Sequence, residues 1–527
     1  MKTVVAALGL CTGVALCPSP SIAATISVTS GSDLQSAIVN AKPGDTILLA
    51  RGVVYVGNFT LIDKGSSTGS TAMITIRTDG DSGLAADGQR VSPSMAPLLA
   101  KLQSPSNGAP VISTAPNAHH WKLMLVEIVG NGLGDLIDLG DGGETSLARV
   151  PHDIVLDRVY AHGDPTLGQK RGVALNSAST TITGSYISDI KAVGQDTQAI
   201  CGWNGPGPFV ITNNYLEAAA ENVLFGGADP AIKNLVPADI MFSGNLVSKP
   251  VAWRSQGWTV KNLFELKNAR RVFAADNIFE YNWEGGQNGY AILFTVRNQD
   301  GGCPWCQVDH VTFSGNVVRH SAAGILILGY DYNYPSQQTQ TILIQNNVFW
   351  DIDSQNWGGN GYFLSIVGGP RDLTVDHNTI ISDHGSGVVQ ADGPPILEFK
   401  FTNNLAKHNS YGFIGTSHGV GSDTISAFFP ASQITCNVLA GGSANLYPAG
   451  NSFPTTDQFA AQFVGYTGGD YHLVASSPWR KAALDGQDMG ALFDGAAPST
   501  GSSSTGSPST GAPSTGAPST GWTPHRR

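Results

Sequence analysis

The sequence predicts an all-β solenoid in which one coil of short strands repeats along the chain. A strand-like segment recurs ten times between residues 150 and 440, and eight of the ten repeats carry Asn at the same place. Only 13% of residues are charged while 64 are Gly, so helix-forming composition is absent. Consecutive repeats are 26 to 39 residues apart, as in a solenoid whose loops vary in length. The ten positions are Arg158, Ser185, Asn214, Asn245, Asn277, Asn316, Asn347, Asn378, Asn404 and Asn437.

The repeated Asn at the bend after each strand has a physical reason. Asn tolerates left-handed backbone angles, and its amide can bond the equivalent Asn one turn above and below. We therefore predict that this Asn ladder is structural and binds no ligand.

Rungs that are punctuated by Asn and closed by caps resemble the right-handed parallel β-helix, or pectin-lyase-like, superfamily. The resemblance covers roughly residues 25 to 495. It implies a parallel β-helix whose lateral groove engages polysaccharide, because many members cut or bind polysaccharides. The same coil also serves adhesins and phage tails, so the function has to be argued from the site.

The N-terminus reads as a secretory signal. Lys2 precedes an apolar run from Val4 to Leu16, and small residues end at Ala23, where we expect cleavage. A lipoprotein signal at Cys17 is the alternative, but Leu16 stands where that signal needs a small residue. The sequence therefore predicts a secreted or cell-surface protein, extracellular or periplasmic.

The rest of the chain divides by composition. A short amphipathic helix over Asp33–Ala41 is predicted to cover the first rung. Residues 80–118 break the strand pattern and are predicted to form a long loop or irregular rung. The predicted segments are a signal peptide at 1–23, an N-terminal cap with irregular rungs at 24–140, β-helix rungs at 141–440, a C-terminal cap at 441–495 and a disordered Ser/Thr/Pro/Gly-rich tail at 496–527.

Composition also narrows the partners. The formal charge of −11 argues against nucleic acid, and no segment after the signal is long and apolar enough to span a membrane. We expect a monomer that binds polysaccharide. Four cysteines follow the signal, and Cys303 and Cys306 are predicted to form either a disulfide that pins a loop or a pair of free thiols. The others are Cys201 and Cys436.

A second set of strands lies upstream of the ladder strands. Short apolar runs recur at residues 223–225, 263–264, 292–294 and 325–327, and we expect them to stack as one parallel sheet. Aligning Phe264 with Phe294 places Glu265, Lys267 and Arg297 on the side opposite the core, on rungs about 4.8 Å apart. This is the most specific polar cluster in the sequence.

These residue types suit a lyase that cleaves uronate polysaccharides by β-elimination. A cation or Ca²⁺ neutralises the uronate carboxylate, a base removes the neighbouring proton and an acid protonates the leaving oxygen. Lys267 is the candidate base, and Arg297 is the candidate charge stabiliser or proton donor. The pair is similar to the Lys and Arg of the alginate-lyase and chondroitinase B type of β-helix enzyme, and that resemblance implies Glu265 as an acidic Ca²⁺ ligand.

Two other functions remain open from the sequence. A glycoside hydrolase would pair Glu265 with a carboxylate near a strand end as acid and base or nucleophile. A non-catalytic adhesin or glycan-binding solenoid would use the same groove without turnover. In that case Glu265, Lys267 and Arg297 would form only a solvated ion-pair cluster with no catalytic role. The candidate substrate-binding residues are Asp229, Asp300, Asp331, Trp283 and Tyr330.

Overall fold

Three parallel sheets wind into a right-handed parallel β-helix, as predicted. The structure is a computed structural model that describes residues 23–65 and 70–493. The chain divides at Leu492 into a unit that holds the rungs and a second unit, Phe493–Arg527, of which only Phe493 is described. The predicted signal peptide, apart from Ala23, and the predicted tail lie outside the described residues.

Each complete rung contributes one strand to each sheet, in the order sheet 1, sheet 2, sheet 3, while the rungs at the two ends are incomplete. Sheet 1 contains Thr25–Val28, Thr46–Leu49, Ile74–Thr78, His119–Met124, His152–Asp157, Ala178–Thr183, Gly207–Thr212, Ala238–Ser243, Ala269–Ala275, Val308–Ser314, Gln340–Gln345, Arg371–Asp376, Lys400–Thr402 and Gln433–Thr435. Sheet 2 contains Val54–Val56, Ala100–Gln103, Val126–Val129, Tyr160–His162, Tyr186–Ile190, Tyr215–Ala218, Leu246–Ser248, Ile278–Asn282, Val317–Ser321, Val348–Ile352, Thr379–Ile381, Leu405–Lys407 and Val438–Ala440. Sheet 3 contains Phe59–Leu61, Ile112–Thr114, Asp135–Leu139, Arg171–Leu175, Gln198–Gly202, Glu221–Phe225, Asn262–Leu266, Tyr290–Thr295, Ala323–Leu328, Leu364–Val367, Val389–Asp392 and Phe413–Gly415.

Short elements complete the described chain. An antiparallel pair near the C-terminal end joins Phe463–Gly465 to Asp470–Leu473. The α-helices are Gly31–Asn40, Ser354–Trp357, Ser422–Phe428 and Thr456–Ala460. The 3-10 helices are Pro93–Leu98, Leu147–Arg149, Val251–Ser255, Ala444–Leu446 and Tyr466–Gly468. Among the described residues, no helix has the length and apolar character needed to cross a bilayer.

The sheets differ in how their outer faces are covered. Strands of sheet 1 alternate between buried and half-exposed residues, as in Ile74–Thr78, so one face meets solvent. Strands of sheet 3 such as Glu221–Phe225 and Asn262–Leu266 are buried at every position. Residues that precede and follow the strands of sheet 3, such as Gln195 and Gln299, line a cavity over its outer face, and we call this face the lateral groove.

The Asn ladder is confirmed and runs through the turn between sheets 1 and 2. Asn316 is fully buried, and its Nδ2 donates to the carbonyl of Ala274 at 2.9 Å and to Oδ1 of Asn347 at 3.0 Å. Its own Oδ1 accepts from the backbone N–H and the Nδ2 of Asn277. The same pattern joins the rungs from Asn214 to Asn437, so every ladder Asn satisfies buried backbone groups of the neighbouring rungs.

One expectation about the ladder was wrong. The ladder Asn residues do not have left-handed backbone angles, and the residue before each of them does, as at Asn346 with φ 58° and Gly315 with φ 68°. The preceding residue makes the bend, and the ladder Asn is free to aim its amide along the helix axis.

The N-terminal cap is also confirmed. Gly31–Asn40 forms the expected helix, and Leu34 and Ile38 are fully buried against the first rungs. Residues 80–118 are less irregular than expected, because they contain the strands Ala100–Gln103 and Ile112–Thr114. These strands are short, which is why the surrounding Pro, Ser and Gly hid them.

Candidate functional site

The groove on sheet 3 contains a cavity of about 520 Å³. Its floor is formed by outward-facing residues that stack in register: Cys201 pairs with Leu224, and Leu224 pairs with Glu265. The cavity is lined by Lys170, Arg171, Gln195, Asp196, Gln198, Cys201, Trp203, Leu224, Gly226, Gly227, Ala228, Lys261, Lys267, Arg297 and Gln299. Five of these are Lys or Arg and one is a carboxylate, so basic side chains dominate the lining. Four of the five, Arg171, Lys261, Lys267 and Arg297, are paired with carboxylates in or behind the wall.

Lys267 leaves the end of the strand Asn262–Leu266 and points into this cavity. Its Nζ is 3.6 Å from Oε1 of Glu265, which is 2% exposed. Asn262 Nδ2 donates to Glu265 Oε2 at 2.9 Å, and Thr295 Oγ1 donates to Glu265 Oε1 at 3.1 Å. The Glu265 carboxylate is therefore held from three sides and keeps the ammonium group of Lys267 at the cavity edge.

Arg297 lies at the end of the next strand of sheet 3. Its backbone N–H donates to the carbonyl of Lys267 at 2.9 Å. Its Nη1 donates to Oδ1 of Asp331 at 2.9 Å, while the other Asp331 oxygen accepts the backbone N–H of Asn298 at 2.7 Å. The side chain of Asp331 is fully buried and that of Arg297 is 29% exposed, so the guanidinium group is fixed at one end and open to the cavity.

The register that led to this pair was wrong by two residues. Phe264 pairs with Ile292, and Leu266 pairs with Phe294. Because side chains alternate with a period of two, a slip of two residues leaves the same residues facing the core, and alternation could not detect it. Glu265 consequently pairs with Leu293.

A buried chain of polar side chains that was not predicted from the sequence forms the opposite wall. Arg171 Nη1 contacts Asp135, Arg171 Nε donates to Gln198 at 3.1 Å, and Gln198 Nε2 donates to Glu221 at 2.9 Å. Lys261 Nζ is 3.2 Å from Glu221. The sequence contains a pattern that indicates this chain, because a polar residue begins each of four consecutive strands of sheet 3. These residues are Asp135, Arg171, Gln198 and Glu221.

Burial and neighbouring charges shift the pKa values of three side chains in and beside this wall. Burial raises the pKa of the Glu221 carboxyl, and the neighbouring Glu265 adds to the rise. Burial opposes the charge of Lys261, but Glu221 and Asp196 outweigh it, so the pKa of Lys261 is raised. Burial also raises the pKa of Cys201 to about 11, which keeps the thiol on the cavity floor protonated at neutral pH.

The three aspartates predicted to bind substrate have different positions in the structure. Asp229 accepts backbone N–H groups from Gln299, Asp300 and Gly302, so it pins the loop that follows Arg297. Asp300 itself is exposed. Asp331 orients Arg297, as described above.

Two aromatic candidates lie outside the cavity lining. Trp283 is 7% exposed and packs in a buried cluster with Ala219, Trp253 and Val260, which corrects the expectation that its ring faces a sugar. Tyr330 is 43% exposed and stands outside the lining. The aromatic side chain that does line the cavity is Trp203, whose ring stacks on the guanidinium of Arg171 at 5.3 Å.

The loop after Arg297 is closed by a disulfide between Cys303 and Cys306. Both cysteines are fully buried, and the Cys303 N–H donates to Asn298 Oδ1 at 2.7 Å. Of the two outcomes predicted for this pair, the disulfide is the one observed. Within the described chain Cys201 and Cys436 are free thiols.

The acidic groups at the site do not fit Ca²⁺. Calcium takes six to eight oxygen ligands, mostly carboxylates and carbonyls. Here Glu265 and Glu221 each contact a lysine ammonium group, at 3.6 and 3.2 Å. Across residues 23–65 and 70–493, no group of three or more His, Cys, Asp or Glu residues has metal-binding geometry. Lys and Arg side chains supply the positive charge at this site.

Comparison with known proteins gives structural neighbours only. No family model matches the sequence, and no curated protein matches it. An alginate lyase from Paenibacillus sp. str. FPU-7 aligns over 81% of this chain and 99% of its own, at 16% identity and a TM-score of 0.31. The PL6 family alginate lyase AlyGC aligns over 81% of this chain and 53% of its own, at 13% identity and a TM-score of 0.48. A polygalacturonase from Erwinia carotovora ssp. carotovora aligns over 76% of this chain and 96% of its own, at 13% identity and a TM-score of 0.38.

The three stacked parallel sheets define the class to which the chain belongs. It is a right-handed parallel β-helix protein. Its lateral groove carries a cavity lined mainly by basic side chains, which we call the cationic cavity.

Proposed function

We propose that this protein is a secreted polysaccharide lyase that cleaves uronate-containing glycans by β-elimination in the groove on sheet 3. The observation that carries the proposal is the charge of the cavity, where five basic side chains and one carboxylate line about 520 Å³. The whole chain has a formal charge of −11, so this positive patch is local. A polyanion with a carboxylate on its sugar rings matches the patch in charge and chemistry.

In the proposed reaction the uronate carboxylate faces the guanidinium of Arg297, with Arg171 and Lys261 across the cavity. Neutralising that carboxylate acidifies the neighbouring C5–H, and Lys267 is the base that removes the proton. The C5–H bond and the C4–O bond break, and a C4=C5 double bond forms. The leaving oxygen takes up a proton from the solvent that the open cavity admits.

Asp331 has a positioning role in this proposal. Its side chain is fully buried and holds the guanidinium of Arg297 at 2.9 Å, so the cation is in place before substrate arrives. Such preorganisation lowers the barrier because no side chain has to be ordered during the reaction.

A glycoside hydrolase is a less well supported proposal than a lyase, because Asp229, Asp331 and Asp196 are already engaged by other protein groups. A hydrolase needs two carboxyl groups facing the same bond, about 5 to 9.5 Å apart. Asp229 is bound to three backbone N–H groups, and Asp331 is bound to Arg297 and Asn298. The carboxylate that lines the cavity, Asp196, is paired with Lys261.

The test is to incubate the purified protein with a panel of uronate polysaccharides and follow the ultraviolet absorbance of the unsaturated product. Lys267→Ala should lower kcat by about 10² to 10⁴, the usual contribution of a general base. The matched control is Lys400→Ala, which removes an exposed lysine from sheet 1. It should leave the rate unchanged.

Each rival function gives a different result in the same assay. New reducing ends without unsaturated product would indicate a hydrolase. Retention of the glycan without any product would indicate a binding solenoid. Full activity in Lys267→Ala would refute Lys267 as the base.

A further inference from the structure

A second cavity continues the groove of sheet 3 beyond Glu265. It has a volume of about 310 Å³ and is lined by Gly286, Gln287, Asn288, Tyr290, Leu293 and Leu326. None of these described lining residues is charged. The groove therefore changes chemistry along its length, from a cationic cavity to a neutral one.

The register of sheet 3 fixes how the two cavities are related. Leu224 of the cationic cavity pairs with Glu265, Glu265 pairs with Leu293, and Leu293 pairs with Leu326. Neighbouring strands are about 4.8 Å apart, so Leu224 and Leu293 are about 10 Å apart along the helix axis. A single glycan chain lying along the groove would place nearby sugar rings in the two cavities.

The neutral cavity is suited to an apolar sugar face. Leu293 and Tyr290 are 5% and 6% exposed and pack with Ala323, while Leu326 is half-buried against them. The Tyr290 hydroxyl accepts a hydrogen bond from Asn360 Nδ2 at 2.9 Å, and burial raises the pKa of Tyr290, so the ring stays neutral. Gln287 already accepts from Asn262.

A second uronate is unfavourable in this cavity. Its carboxylate would lose water without meeting a cation, which costs free energy unless the charge is paired. It would also approach the Glu265 carboxylate, which lies between the two cavities in the same row. The outward row continues from Leu326 to Ser365 and Gln390, which are also uncharged.

We infer that the substrate is a heteropolysaccharide in which a uronate lies beside an uncharged sugar with an apolar face, such as a deoxyhexose. The uronate occupies the cationic cavity of Lys267 and Arg297, and the neutral sugar occupies the cavity of Tyr290, Leu293 and Leu326. This inference rests on the proposed lyase function and names its substrate class. A homopolymer of uronate would place a carboxylate in the neutral cavity and be cleaved less well.

The experiment compares kcat/KM for two kinds of polymer, measured by the ultraviolet absorbance of unsaturated ends. One is a polymer in which galacturonate alternates with rhamnose, and the other is a homopolymer, polygalacturonate or polymannuronate. We expect the alternating polymer to be preferred by about tenfold or more. Equal or better cleavage of a homopolymer would overturn the inference and leave the lyase proposal intact. Absence of unsaturated product from every polymer would refute the lyase proposal itself.

A charge placed in the neutral cavity supplies a second readout. Leu326→Lys should lower the preference for the alternating polymer by about tenfold, because the new ammonium group can pair with a second uronate. The matched control is Leu343→Lys, the same change at a half-exposed position on the outer face of sheet 1. Identical preferences in the two variants would count against the inference. The preference of the unaltered protein decides the question even where Leu326→Lys does not fold.

Discussion

The backbone N–H of Arg297 donates to the carbonyl oxygen of Lys267 across 2.9 Å, which fixes two basic residues at the ends of neighbouring strands. Their side chains are held by different acids, since Glu265 lies beside Lys267 and Asp331 binds Arg297. Backbone pairing thus sets the spacing of the two cations, and buried carboxylates set their directions.

Removing Asp331 should release Arg297 and lower the proposed activity. We expect Asp331→Ala to lower kcat/KM for a uronate polymer by about a hundredfold, because small misplacements of a positioned group cost that much. The double variant with Arg297→Ala should lose little more than Arg297→Ala alone, since both changes remove one interaction.

The readout is a set of initial rates from the four combinations, with folding checked by circular dichroism. Asp87→Ala is the control, because Asp87 is 93% exposed and forms an ion pair with Arg158 outside the groove. Additive losses in the double variant would show that Asp331 acts by another route than Arg297.

The Asn ladder should carry a large share of stability at each rung. Asn316→Ala leaves the buried N–H of Asn277 and the carbonyl of Ala274 without their partner. At about 1 to 3 kcal/mol for each of these two buried groups, the variant should lose about 2 to 6 kcal/mol of unfolding free energy.

Chemical denaturation measures this loss, and Asn333→Ala is the matched control at an exposed position. That control should change stability by less than about 0.5 kcal/mol. Equal midpoints for the two variants would mean that neighbouring rungs satisfy the exposed groups by rearranging.

Sequence periodicity was enough for the coil and for the ladder, because both repeat in every rung. The outward polar cluster was also accessible, since Glu265 and Lys267 flank the core residue Leu266. The alignment of neighbouring strands could not be predicted from alternation, because a shift of two residues leaves the same residues facing the core. The sequence therefore predicts Phe264 opposite Phe294, whereas the structure pairs Phe264 with Ile292.

The opposite wall of the cavity was missed for a different reason. Arg171 and Gln198 lie in strands whose apolar runs were not aligned with the later rungs, so their position at the groove was not apparent. Trp283 was misjudged because an aromatic residue near a loop gives no indication of which side its ring faces. Its burial depends on Trp253 and Val260, which come from a loop of the preceding rung.

Glu217 should make stability depend on pH. Burial raises the pKa of this carboxyl from its ordinary 4.5 to about 7, with Asp189 adding to the rise while the Asp189 N–H and the Tyr215 hydroxyl oppose it. The folded state thus binds more protons than the unfolded state between about pH 4.5 and 7, so stability falls as pH rises through that window. The full effect is about 3 kcal/mol.

Glu217→Gln should remove this part of the pH dependence. The free energy of unfolding, measured by denaturant titration at several pH values, should fall less steeply between about pH 4.5 and 7 than in the unaltered protein. Asp138, whose pKa burial also raises to about 7, should maintain a remaining slope. Glu398→Gln is the control at an exposed glutamate. An unchanged slope in Glu217→Gln would contradict the predicted protonation.

The Cys303–Cys306 disulfide should stabilise the loop that follows Arg297. It closes a loop over a sequence separation of three, for which the chain-entropy relation gives about 2 kcal/mol. The double variant Cys303→Ser with Cys306→Ser should unfold at correspondingly lower denaturant concentration.

A reducing agent tests the same bond without mutation. The unaltered protein should lose stability when reduced, while the double serine variant should be insensitive to the reductant. Cys436→Ser removes a free thiol and should remain as sensitive as the unaltered protein. Because Cys303 donates to Asn298, and Asn298 donates to Asp331, loosening this turn should also lower the proposed activity through Arg297. A reduced protein that kept both its denaturation midpoint and its kcat/KM would show that hydrogen bonds alone hold the loop.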